Sequence, residues 1–251
     1  MYGPNRSGKT VWSCGAPKPL LLVDCEPEKD GGGARSVKGV SGVTFLKLDD
    51  MDSIMKLAEE LTQHNPFRTI VLDSVTSLER IVLGEIMKMP AVKDMMSPKM
   101  IGLGAAAMDI YSERAIRMRK VLRPYLDMPC HTVFTAKQKD HNPNKSDQRS
   151  KLVREQHEES FFGPDVGGGT AEWLKDACDI VQLGMVKEIK VHQVKVGDDV
   201  IDREEETGRK VRRLRITNHP NFAVGVRSSR LDIPDYIDEP TFDKFMSVIR
   251  G

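Results

Sequence analysis

The strongest chemical signal in the chain lies in eight consecutive residues near its start. Gly3-Pro4-Asn5-Arg6-Ser7-Gly8-Lys9-Thr10 fits G-x-x-x-x-G-K-[ST], the spacing of a loop that wraps a chain of phosphates. Each residue type has a reason to be there. Gly3 and Gly8 let the backbone curl until several N–H groups converge on one anion. The helix that must follow adds the positive end of its dipole. Lys9 would reach the outer phosphates, and the Thr10 hydroxyl would take a Mg²⁺ ion.

Acidic and polar groups recur further on, each at the end of an apolar run. Leu20-Leu21-Leu22-Val23 leads into Asp24-Cys25-Glu26, and Thr69-Ile70-Val71-Leu72 leads into Asp73-Ser74. Uninterrupted apolar runs of this length read as strands buried on both faces of a parallel sheet. Asp24 and Glu26 stand two apart, on one face of an extended strand. Asp73 suits a Mg²⁺ ligand acting through water. Glu26 is then the better candidate to activate an attacking water, because Asp73 is already assigned to the metal. A further strand, residues 130–138, ends in polar groups placed like a phosphate sensor. Ligands in open parallel sheets bind at the carboxyl ends of the strands, so the loop, Glu26, Asp73 and Gln138 could share one nucleotide site.

The elements that must position these residues follow from periodicity. The first helix is expected over residues 10–15, ended by Gly15 and Pro17. Residues 43–48 read as a strand. Ile54, Leu57, Ala58 and Leu61 form one apolar helical face behind Asp49-Asp50-Met51-Asp52. Residues 77–89 and 105–126 read as helices, with a Met-, Lys- and Pro-rich loop between them. Residues 186–217 alternate as an antiparallel hairpin, with a turn at Gly197-Asp198-Asp199 and a polar turn over 204–210. Residues 221–230 read as a last strand with a basic end, and Phe242, Phe245, Met246 and Ile249 line one face of a terminal helix. Only Met1 and Tyr2 precede the phosphate loop, so the strand that normally leads into such a loop is expected to be absent.

Residues 139–166 show no periodicity. They carry Lys139, Lys145, Arg149, Lys151 and Arg154, then Phe161-Phe162. Cations that follow a backbone and rings that stack on bases suit single-stranded nucleic acid, and a loop of this length in a compact domain is usually functional or disordered.

The bulk properties set bounds. The 251 residues carry a formal net charge of +1, so total charge gives no indication of a nucleic-acid partner and any basic surface is local. Cys14, Cys25, Cys130 and Cys178 form no C-x-x-C pair, which argues against a zinc ribbon. There is no apolar run approaching the ~20 residues of a membrane span and no signal peptide, so the expected location is the cytoplasm. The expected organisation is a single α/β domain over residues 1–251, mainly parallel sheet flanked by helices, with the hairpin as an extension.

The phosphate loop, Leu22-Val23-Asp24-Cys25-Glu26, residues 69–78 and Thr132-Val133-Phe134-Thr135-Ala136-Lys137 together resemble the RecA-like ATPases. The chain is most similar to the small phage-encoded recombinase or single-strand-annealing ATPases of the AAA_24 type, and Ile233-Pro234 before the terminal helix also looks similar. The resemblance implies a RecA-like P-loop NTPase fold and Mg²⁺-dependent ATP hydrolysis. It makes Glu26 the water-activating glutamate and Gln138, or Thr135, the γ-phosphate sensor that begins a DNA-binding loop over residues 139–166. It also implies a ring or filament of identical subunits, with Arg227 and Arg230 as the basic residues offered to a neighbour's ATP. The expected function is ATP-dependent binding of single-stranded DNA in phage recombination, in the host cytoplasm, with a single-strand-binding protein as a further partner. The alternatives are a helicase-like motor and a nucleotide-binding loader or scaffold subunit with little hydrolysis.

Overall fold

The computed structural model describes residues 1–26, 36–89, 104–140, 161–196, 199–217, 219–228, 230 and 232–250, with the backbone alone for 104–109, 189–196 and 199–206. Its centre is a sheet in the order β3-β2-β4-β5-β1-β7-β8-β9, with β6 paired to β5. These strands are β1 (Tyr2–Gly3), β2 (Leu20–Asp24), β3 (Val43–Lys47), β4 (Thr69–Asp73), β5 (His131–Asp140), β6 (Phe162–Pro164), β7 (Gln182–Val196), β8 (Asp199–Arg215) and β9 (Tyr236–Asp238). From β3 across to β7 every pair is parallel, and β8 and β9 continue antiparallel. The helices are α1 (Lys9–Ser13), α2 (Met51–Gln63), α3 (Val75–Lys88), α4 (Gly104–Asp127), α5 (Gly168–Ala177) and α6 (Phe242–Arg250).

Alternation along the central strands divides the core into two layers. Leu21 and Val23 of β2 and Ile70 and Leu72 of β4 pack with Ile54, Leu78, Val82, Met118 and Leu122 of the long helices. Leu20, Leu22 and Val71 point the other way, toward Trp12 of α1 and Phe242 and Phe245 of α6. Both faces of β2 and β4 are covered, which is why their sequences are apolar without interruption. Local caps start two of the helices: Asp50 accepts from Ser53 N–H at 2.8 Å ahead of α2, and Ser74 accepts from Ser77 N–H at 3.3 Å ahead of α3. No described helix is long and apolar enough to cross a membrane.

Four expectations need correction. The strand ahead of the phosphate loop is present: Tyr2 and Gly3 pair with Ala136 and Lys137 of β5, and Tyr2 also with Gln182 of β7. Two residues suffice because Tyr2 is fully buried and its N–H bonds to Val181 O at 2.9 Å. Beyond it, the first half of β5 borders a cavity of about 320 Å³ lined by Met1, His131, Val181 and Phe242 among others. Residues 204–210 are not a turn. They belong to β8, whose backbone pairing with β7 is indifferent to side-chain polarity. The polar stretch is absorbed where the register shifts between Lys187 and Ile189, with Gly208 at φ 76°.

Among the described residues 221–228 and 230 there is no strand, and only Phe222 and Gly225 of these make isolated bridges. The short strand after them, β9, is instead Tyr236–Asp238. The aperiodic stretch 139–166 begins and ends in regular structure, because β5 runs to Asp140 and β6 returns opposite Gln138, Lys139 and Asp140.

Candidate nucleotide site

The phosphate loop connects β1 to α1, and close packing dictates its glycines. A Cβ on Gly3 would lie 2.1 Å from the Leu183 carbonyl oxygen of β7, and Gly8 holds φ 92° at the start of α1. Inside the turn the Ser7 hydroxyl is buried with no hydrogen-bond partner among the described residues. A buried orphan hydroxyl is costly unless a ligand satisfies it. Lys9 Nζ donates to the loop's own Gly3 and Pro4 carbonyls at 3.0 and 2.8 Å. Burial pulls its ammonium below the ordinary lysine range, against the opposing pull of Asp73 and Glu26.

The strand ends supply the rest of the site. Asp24 stands in register with Lys47 on one side and Asp73 on the other, and Asp73 with Thr135. One row across β3, β2, β4 and β5 therefore reads cation, carboxylate, carboxylate, hydroxyl. Lys47 Nζ lies 3.5 Å from Asp24 and also donates to the Glu26 carbonyl. Asp73 is buried and accepts two hydroxyl hydrogen bonds, from Thr10 at 2.6 Å and from Thr135. Thr10 and Asp73 thus offer adjacent oxygens at the amino end of α1. That donor set fits Mg²⁺, which keeps several waters and takes one or two protein oxygens beside the substrate phosphates. Bound there, the ion would neutralise phosphate charge.

Glu26 follows β2 directly. Its N–H donates to the Asp24 carboxylate at 2.8 Å. Its carboxylate lies 3.6 Å from Lys137 Nζ, and both side chains are mostly buried. Gly3 and Lys137 are register partners, so this cation stands beside the phosphate loop.

Several sequence candidates lie away from this cluster. Gln138 accepts from Gln182 at 2.9 Å, and Gln182 in turn accepts from Arg215 at 2.6 Å. Gln138 is therefore tied to the hairpin, while Thr135 is tied to Asp73. Arg227 contacts the Asp176 carbonyl through its guanidinium and Asp179 through its N–H, and Arg230 forks onto Asp232 at 3.2 and 3.0 Å. Neither arginine contacts the phosphate loop of its own chain among the described residues. Lys139 lies 3.9 Å from Asp165. Phe161 and Phe162 lead into β6, and the Phe162 ring stacks on Phe222 at 5.3 Å, with the Arg215 guanidinium over Phe222 at 4.4 Å. Lys145, Arg149, Lys151 and Arg154 lie outside the described residues.

Sequence reasoning missed Lys47, Lys137, Gln182 and Arg212. Lys137 sits one residue before Gln138 on the same strand end, so only the strand's facing could choose between them. Arg212 carried a signal as part of the basic strand Arg212-Arg213-Leu214-Arg215, which gave no indication that it would lie over Gly8.

A search of curated proteins finds no match. A family model described as an AAA domain matches residues 1–221, which takes in the phosphate loop, both acidic strand ends, β5 and the hairpin. With the phosphate loop, the Thr10–Asp73 pair and Glu26 assembled at the carboxyl edge of a parallel sheet, the chain belongs to the AAA_24 family of AAA-domain P-loop proteins.

Proposed function

We propose that this protein is an ATPase that binds single-stranded DNA in phage recombination, as a homo-oligomer with ATP held between subunits. The observation that carries the DNA part of this reading is the path of β5. The strand passes Thr135 and Lys137 beside the nucleotide residues and continues without a break to Asp140, where residues 141–160 begin; β6 brings the chain back against Gln138. β5 and β6 thus tie the nucleotide residues to both ends of the segment 141–160. At its foot, Phe162, Phe222 and Arg215 make a stack of rings and a cation, the side-chain chemistry that single-stranded nucleic acid uses.

In the nucleotide site the protein's own groups divide the work. The loop amides and Lys9 hold the phosphates, Thr10 and Asp73 would hold the Mg²⁺, and Glu26 orients and deprotonates the attacking water. Lys137 would neutralise Glu26 while no phosphate is bound. Arg227 and Arg230 are proposed to act on a neighbour's nucleotide.

The test is ATP hydrolysis measured with and without single-stranded DNA, for the wild type and Lys9→Ala. DNA-stimulated hydrolysis that disappears in Lys9→Ala is the expected result. Hydrolysis indifferent to DNA would remove the recombination reading and leave a P-loop ATPase of another role.

A further inference from the structure

The arginines near the carboxyl end of β8 are committed to partners, with one exception. Arg209 reaches Glu239 at 3.4 Å, Arg213 forks onto Asp238 at 2.7 and 2.8 Å, and Arg215 donates to Gln182 and covers Phe222. Arg212 is exposed and has no side-chain hydrogen bond or ion pair among the described residues. Alternation puts it on the strand face opposite Arg213 and Arg215. There it lies against the phosphate loop: its Nε and Nη2 stand 3.2 and 3.7 Å from where a Cβ on Gly8 would be.

Gly8 is the residue at which the loop becomes α1, with its φ of 92°. The amides that follow it point to the place where an anion would sit. A guanidinium beside that place, with no carboxylate paired to it among the described residues, meets phosphate geometry with a planar fork of donors. The orphaned Ser7 hydroxyl in the same turn is a second, independent sign that a polar ligand completes this spot. We propose that Arg212 is a further phosphate-binding residue of the nucleotide site, supplied in cis by the β7–β8 hairpin. The inference rests on the nucleotide-binding reading of the loop. It also makes the hairpin part of the site. β8 flanks the loop from the side opposite β5, and three residues beyond Arg212 on the same strand Arg215 donates to Gln182 of β7.

The experiment is titration of the full chain with fluorescent ATP and ADP in the presence of Mg²⁺, for the wild type, Arg212→Gln, Arg212→Lys and Arg209→Gln. A charge-assisted contact predicts that Arg212→Gln weakens both nucleotides by about 10-fold or more. It also predicts a shallower salt dependence, partial recovery in Arg212→Lys, and an unchanged urea midpoint. Arg209→Gln removes the same charge from the same strand and should bind as the wild type does. Affinity of Arg212→Gln within about twofold of wild type, or an equal loss in Arg209→Gln, overturns the proposal while leaving the nucleotide site intact. A fall in the urea midpoint that accounts for the lost affinity would make Arg212 structural and also overturns it. A wild-type chain that binds neither nucleotide removes the nucleotide reading and the proposal together.

Discussion

Replacing Gly3 by alanine tests the phosphate loop and its seat in the sheet in one step. The added Cβ would stand 2.1 Å from the Leu183 carbonyl oxygen, where ordinary contact begins at 3.4 Å. That oxygen is backbone in β7 and has no rotamer to change. β1 must therefore move away from β7 by about 1.3 Å, the shortfall between 3.4 and 2.1 Å. The movement strains the Tyr2 N–H bond to Val181 and the pairing of Tyr2 and Gly3 with β5. Overpacking of this kind costs about 1–3 kcal/mol, and a weakened ladder bond adds about 1 kcal/mol. Gly3→Ala should accordingly lose about 2–4 kcal/mol in urea unfolding. A displacement of that size at the loop should also weaken nucleotide binding by about 100-fold.

Gly84→Ala is the matched control. Gly84 lies within α3, and a Cβ there meets nothing within 4 Å. It should gain about 0.5–1 kcal/mol and bind nucleotide normally. A Gly3→Ala protein with the wild-type urea midpoint and wild-type nucleotide affinity would refute both the position of β1 and the tight loop built on it.

Two further outcomes follow from the same site. Glu26→Gln should keep nucleotide affinity and lose about 100-fold or more in turnover, read in parallel binding and phosphate-release assays; retained turnover would remove Glu26 from water activation. Lys9 is held below the ordinary lysine range by burial, and bound phosphate favours its charged form. At alkaline pH, nucleotide binding should therefore take up a proton and weaken as pH rises. Calorimetry in buffers of different ionisation enthalpy checks the uptake, and binding without proton exchange would count against Lys9 as the phosphate cation.

The local parts of this protein were legible because they depend on local chemistry. The loop motif carries its own backbone requirements, as Gly8 at φ 92° illustrates. The uninterrupted apolar runs of β2 and β4 report strands covered on both faces, and Asp50 announces the helix that it caps. Glu204 to Lys210 have a turn's polarity, but polarity is a property of side chains, whereas β8 is held there by backbone pairing to β7. Residues 221–230 have a strand's composition, but Phe222 and Gly225 are held only by isolated bridges and by the stack of Phe222 on Phe162 of β6.

The amino-acid sequence by itself determined the phosphate loop, the acidic strand ends Glu26 and Asp73, and an α/β order of elements, since each is encoded within a short run of neighbouring residues. Only the tertiary structure decided which groups meet. It seated Tyr2 and Gly3 at the centre of the sheet, joined Asp73 to Thr10 and Thr135, put Lys137 rather than Gln138 beside Glu26, and laid Arg212 over Gly8. Those meetings bridge long separations in the chain, 63 residues for Thr10 and Asp73, and strand register sets them. A shift of one residue exchanges the faces of a strand and would put a different side chain in every one of these places.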